Sequence, residues 1–130
     1  MQLECEVTFL AKEDGGRNAM PILNGGIYRP LLVAGDPEQR QPVLEKRDIE
    51  FTTVDGRKMV STTDKFLTEE HLGVLFESGP NSGVPGESLT VILAPFGYLE
   101  SHPEKLAAGA TFTVREGPKV VGFGKVLRWL

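Results

Sequence analysis

The chain has one cysteine, two histidines and one tryptophan in 130 residues, and these scarcities exclude whole classes of protein. With Cys5 alone, no intramolecular disulfide can form. His71 and His102 lie far apart, with no cysteine or further histidine at metal-ligand spacing, so no metal site is expected and both read as surface residues. No apolar run approaches the ~18 residues that a membrane-spanning helix needs. Basic residues are outnumbered, 14 Lys and Arg against 18 Asp and Glu, for a net charge of -4. That balance argues against strong non-specific RNA or DNA binding, while leaving room for a small basic patch. Met1-Gln2-Leu3-Glu4 lacks the basic and apolar regions of a signal peptide, so the expected compartment is the cytoplasm. A phosphate-binding loop is missing too. Gly122-Phe123-Gly124-Lys125-Val126 has neither the spacing nor the hydroxyl of such a loop, and no GTP binding is expected. Glu69-Glu70, and Glu100 with Glu104, lack an accompanying nucleophile or base and read as solvated charge. Neither catalysis nor a cofactor is expected.

Turn formers, by contrast, are plentiful: 15 glycines and 9 prolines spread along the chain favour many short strands over long helices. Leu3, Cys5, Val7 and Phe9 alternate with Glu4, Glu6 and Thr8, the period-2 pattern of a half-buried strand. Cys5 is therefore a small core hydrophobe. Gly15-Gly16 ends that strand in a tight turn. A second strand is expected over residues 27–33, held to an edge or bulge by Pro30. Asp55-Gly56, between residues 48–54 and 57–61, is the strongest hairpin signal and predicts a type I′ turn. Thr68-Glu69-Glu70 ahead of Leu72, Val74 and Phe76 fits either a capped short helix or a strand. Leu89 to Leu93 is a core strand. Residues 96–109 form a long connection with room for one helical turn. Residues 111–115 and 120–128 close the chain as a hairpin, with Gly122 and Gly124 marking a close backbone approach.

Four ordered blocks carry a family resemblance. They are Val7 to Leu10 running into Lys12 to Arg17, then Pro21 with Asn24-Gly25 and Tyr28-Arg29-Pro30. Val84-Pro85-Gly86-Glu87 follows, and last come Phe112 to Gly117 with Lys119 to Val126. Together they resemble the third, C-terminal β-barrel domain of elongation factor Tu, standing alone without the nucleotide-binding part of a translation GTPase. The resemblance implies an all-β fold: a closed antiparallel six-stranded Greek-key barrel over residues 1–130, with an insertion at about 35–83 that holds the hairpin or short helix.

In that family the domain contacts the T-stem backbone of aminoacyl-tRNA and the guanine-nucleotide exchange factor. The resemblance implies RNA- or partner-binding roles for Arg17, Asn18, Arg29, Gly117 and Lys119. Asn18 stands where the family usually has a histidine, and Gly117-Pro118-Lys119 where it usually has a second glycine and an arginine. Arg115, Glu116, Tyr28 and Arg29 also read as loop anchors through hydrogen bonds. The expected function is a non-catalytic binding module engaging tRNA or a translation-related protein, with no DNA or membrane partner. The alternatives are a mimic of elongation factor Tu that binds a toxin or exchange factor, or a structural or oligomerisation domain whose insertion covers a barrel face.

Overall fold

The computed structural model describes the backbone throughout and all side chains except those of residues 46, 47, 49 and 61–67. The strands are β1 (Leu3–Phe9), β2 (Leu31–Ala34), β3 (Leu44–Thr52), β4 (Lys58–Leu67), β5 (Leu72–Ser78), β6 (Ser88–Pro95), β7 (Thr111–Glu116) and β8 (Lys119–Trp129). Six of them close a barrel in the order β1-β6-β5-β2-β7-β8, with every pairing antiparallel. β2, β5 and β6 are successive neighbours and β1 lies beside β6, which is Greek-key wiring. The closed six-stranded all-β barrel is thus present as expected. β3 and β4 form a separate two-stranded sheet.

The alternation in β1 holds: Leu3, Cys5, Val7 and Phe9 are buried in the barrel. Burial, with a smaller contribution from the charge of Glu4, pushes the Cys5 thiol up to about 12, so it stays protonated and packs as a hydrophobe. Leu89, Val91 and Leu93 of β6 and Phe112 and Val114 of β7 join the same core. Each such fully buried side chain contributes about 1.5–3 kcal/mol. Phe9, Tyr28 and Phe76 meet with ring centroids 5.1–6.1 Å apart, in tilted geometries that suit aromatic quadrupoles.

Residues 72–78 form strand. Leu72, Val74 and Phe76 point into the core at period 2, and no helix forms ahead of them. β5 is therefore a barrel strand, and the chain outside the barrel runs from the end of β2 at Ala34 to the start of β5 at Leu72, narrower than 35–83. β2 itself is shorter than expected, because Pro30 has no N–H to give to a ladder. Its upstream carbonyls still pair: Phe76 N–H donates to Tyr28 (3.0 Å) and Val74 N–H to Pro30 (3.4 Å).

The β3–β4 turn differs from a type I′ turn. Gly56 has φ +84°, and among the described residues no non-glycine has a positive φ, so Asp55 does not adopt one. Thr53 N–H donates to Arg57 O (2.9 Å) and Gly56 N–H to Thr53 O (3.0 Å), which matches a type I turn closed by a left-handed glycine. At one end of the barrel, α1 (Tyr98–Ser101) and a 3-10 turn (Pro103–Leu106) place Leu99 and Leu106 in the core. Trp129 Nε1 donates to Leu106 O at 2.7 Å and holds that plug in place.

Barrel closure relies on two glycines in β8. A Cβ on Gly122 would sit 2.7 Å from Thr8 O, and one on Gly124 would overlap the Glu6 carbonyl and lie 2.8 Å from the Phe112 ring. These obstacles are largely backbone and cannot step aside. Gly122→Ala and Gly124→Ala are each expected to lower stability by about 2–3 kcal/mol, whereas Lys125→Ala, exposed next to them on the same strand, stays within about 0.5 kcal/mol. Urea unfolding midpoints of the three variants test this.

Candidate functional site

The loop that follows β1 and the β7–β8 turn meet where β1 ends and β8 begins. After Phe9 the chain enters a 3-10 turn, Lys12–Asp14, closed by Gly15 at φ +92°. Gly16 is buried against the Leu10 carbonyl, leaving no space for a Cβ, and its N–H donates to Ala11 O at 2.9 Å. This reversal brings Arg17 to the barrel rim. Arg17 Nη1 donates to Glu116 Oε2 at 2.6 Å, and the Tyr28 hydroxyl donates to the same oxygen at 2.7 Å. The guanidinium lies 5.0 Å from the Tyr28 ring centroid, in cation–π contact.

Burial raises the Tyr28 phenol well above its ordinary range, and the bond to Glu116 raises it further, so Tyr28 keeps the proton it donates. Partial burial works against the Arg17 charge, but its bonds to Glu116 and Tyr28 outweigh that and favour the cation. Lys119 Nζ donates to Gly16 O at 3.1 Å, joining the β7–β8 turn to the first loop.

Four of the five expected site residues thus converge. Arg17 and Lys119 hold the two loops together, Asn18 is exposed next to Arg17, and Gly117 is exposed in the last turn at φ +60°. Arg29 stands apart. It is exposed, bonds through Nε to Gly26 O (2.9 Å), and lies in a separate depression with Leu75 and Glu77. Of the residues read as anchors, Glu116 and Tyr28 serve that purpose at the rim.

Arg115 has a larger role than loop anchoring. It points out of the barrel wall yet is completely buried, because the chain leaving β2 folds back over it as a strap. Glu69 was expected to be solvated; it meets Arg115 in two parallel bonds, Nη1 to Oε1 at 3.0 Å and Nη2 to Oε2 at 2.9 Å. Val43 N–H (2.7 Å) and Gln39 Nε2 (2.9 Å) complete the acceptor capacity of the carboxylate. Arg115 Nε donates to Thr113 Oγ1 at 2.8 Å. These bonds, that to Arg115 foremost, hold the Glu69 carboxyl down to about 2. No spacing rule links Glu69 to Arg115. The available signal was an arginine at an outward position of a strand, in line with Thr111 and Thr113.

The strap also shapes a cleft of about 370 Å³ at this end of the barrel. It is lined by the cations Arg40 and Lys119, the carboxylate Asp14, and apolar Pro42, Pro118 and Val120. Arg40 stacks 5.0 Å from the Phe123 ring centroid and bonds to Pro37 O at 2.6 Å. The sequence pointed to Lys119 but not to Arg40, which lies in the segment that departs from the family pattern.

Among the described residues no three His, Cys, Asp or Glu groups converge as a metal site, and no helix is long and apolar enough to cross a membrane. The histidines are half-buried rather than at the surface. His71 Nδ1 donates to Glu69 O (2.9 Å), and His102 stacks on Tyr98 at 4.1 Å.

The clamp makes stability depend on pH. The folded Glu69 carboxyl lies below its unfolded value of about 4.3, so its contribution is complete above that pH and is lost as pH falls towards about 2. Glu69→Ala leaves the Arg115 charge buried without a partner and is expected to cost about 3 kcal/mol near neutral pH. It should also flatten the fall in stability between about pH 4.5 and pH 2. Denaturant titrations across that range check both effects. In comparisons with protein-family models and with curated proteins, the chain finds no match.

Proposed function

We propose that this chain is a non-catalytic binding module of the translation apparatus, resembling the third domain of elongation factor Tu, and that its partner is a protein. The observation that carries this reading is the cleft between the first loop, the strap and the β7–β8 turn. Its paired cations and apolar lining suit a protein segment with an acidic side chain beside apolar ones. The tRNA-binding alternative draws on the same end of the barrel, but its cations are poorly placed for phosphate. Arg17 is already matched by Glu116, and the net charge is -4. Few phosphates would be neutralised, and binding would be weak and salt-sensitive. A surface that resembles elongation factor Tu also supports mimicry, with the module occupying a site on a protein that normally recognises the factor.

Two measurements separate these readings. Fluorescence anisotropy with tRNA at about 50 mM and about 200 mM salt is expected to give no saturable binding. Affinity capture from a translation extract is expected to retain a protein that Arg40→Glu with Lys119→Glu no longer retains. Saturable tRNA binding that weakens steeply with salt and disappears in Arg17→Glu would overturn the protein reading in favour of RNA.

A further inference from the structure

The barrel-end cleft holds charges of both signs that do not meet. Asp14 of the first loop, Lys119 of the β7–β8 turn and Arg40 of the strap all line it, yet among the described residues none of the three enters an ion pair. Each is kept in place by its own loop. Arg40 stacks on Phe123 and directs Nη1 to two backbone carbonyls, Pro37 O at 2.6 Å and Gln39 O at 3.0 Å. Lys119 Nζ donates to Gly16 O. Asp14 ends the 3-10 turn, and Gly15 at φ +92° turns the chain away directly after it.

What each group still has to offer is specific. With Nη1 engaged, Arg40 keeps the Nε–Nη2 edge of its guanidinium, and such an edge suits a carboxylate through two parallel bonds. Lys119 has three donors and gives one to Gly16. Asp14 is exposed, and its ionised carboxylate can only accept. Pro42, Pro118 and Val120 complete the lining with apolar contact, and the two prolines bring no N–H.

We propose, resting on the protein-binding reading of the cleft, that its occupant is a short internal segment of a partner protein carrying an acidic, an apolar and a basic side chain, and that Asp14 selects the basic one. Charge complementarity singles out this occupant. A purely acidic segment suits Arg40 and Lys119 but brings like charge to Asp14, whereas a segment of mixed sign meets all three groups with opposite charge. The fold already holds these charges apart, so the segment bridges them without breaking an ion pair, which is preorganisation. Selection then acts at two points, because the wrong sign at either one meets a like charge. A cleft of about 370 Å³ is of small-ligand size, so it takes a few side chains of one segment and not a folded surface.

The probe is a displayed library of random short peptides, flanked by constant residues on both sides so that only side chains supply charge. It is selected in parallel on the full chain, on Asp14→Lys, and on Arg40→Glu with Lys119→Glu. The unaltered chain is expected to enrich peptides that combine an acidic and a basic residue around an apolar one. Asp14→Lys should keep the acidic residue and lose the basic one, and Arg40→Glu with Lys119→Glu should lose the acidic one. A binder selected on the unaltered chain should weaken about tenfold on Asp14→Lys, where one attraction is lost and one repulsion gained. Asp14→Asn, which only removes the charge, should weaken it about threefold. Changing the basic residue of the peptide to Glu should restore its binding to Asp14→Lys. Asp14 is exposed, so urea unfolding midpoints of both variants should match that of the unaltered chain. Binders that need Arg40 and Lys119 but carry no basic residue, or whose basic residue is indifferent to Asp14→Lys, would overturn the role of Asp14 and leave the protein-binding reading standing. A library that yields no binder to the unaltered chain would overturn both.

Discussion

A guanidinium buried in the outer wall of β7 cannot keep its hydration, so it must find a carboxylate with matching geometry. Glu69 supplies one, and the course of the chain outside the barrel follows from that bond. The carboxylate also accepts from the Val43 backbone and the Gln39 side chain, so a single group draws in both limbs of the excursion from β2 to β5. One limb descends over β7 and β8, carrying Arg40 onto Phe123. The other returns directly into β5. Between them the ribbon is released from a fixed base. Strap, cleft and ribbon therefore share one anchor.

The two ion pairs at this end of the molecule differ in kind. Arg17 and Glu116 are each about one-third exposed, and such a pair contributes about 0–1 kcal/mol. Arg115 and Glu69 are 0% and 9% exposed, and breaking such a pair costs about 3–5 kcal/mol. The inner pair is thus structural. The outer one adds little to stability, and the Tyr28 hydroxyl also holds Glu116 at the rim.

Local patterns made the barrel readable. β1, β6 and the last hairpin follow from alternation, and Gly122 and Gly124 lie where backbones touch, as their presence in a strand implied. The asymmetry between β2 and β5 was harder, because Pro30 shortens one strand while its carbonyls keep pairing, and Gly73 disguises the other. The spacing of the family resemblance singled out Arg17, Asn18, Gly117 and Lys119, and the first loop and the last turn that carry them lie side by side. Arg29 shares that spacing but faces another wall. Glu69, Arg115 and Arg40 escaped notice as a group because their proximity is created by the strap. Forty-six positions separate Glu69 from Arg115, and no local rule spans that distance.

The placement of β1 also bears on how the molecule folds. The first strand closes the barrel by lying between β6 and β8, so its partners sit in the later part of the chain. In vectorial synthesis Leu3, Cys5, Val7 and Phe9 emerge long before anything can cover them. Contacts of such long range place this topology among the slower two-state folders, on the scale of about milliseconds to seconds. Glu4 and Glu6, interleaved with those apolar residues, act as gatekeepers during that wait and keep an unpaired sticky strand from finding the wrong neighbour.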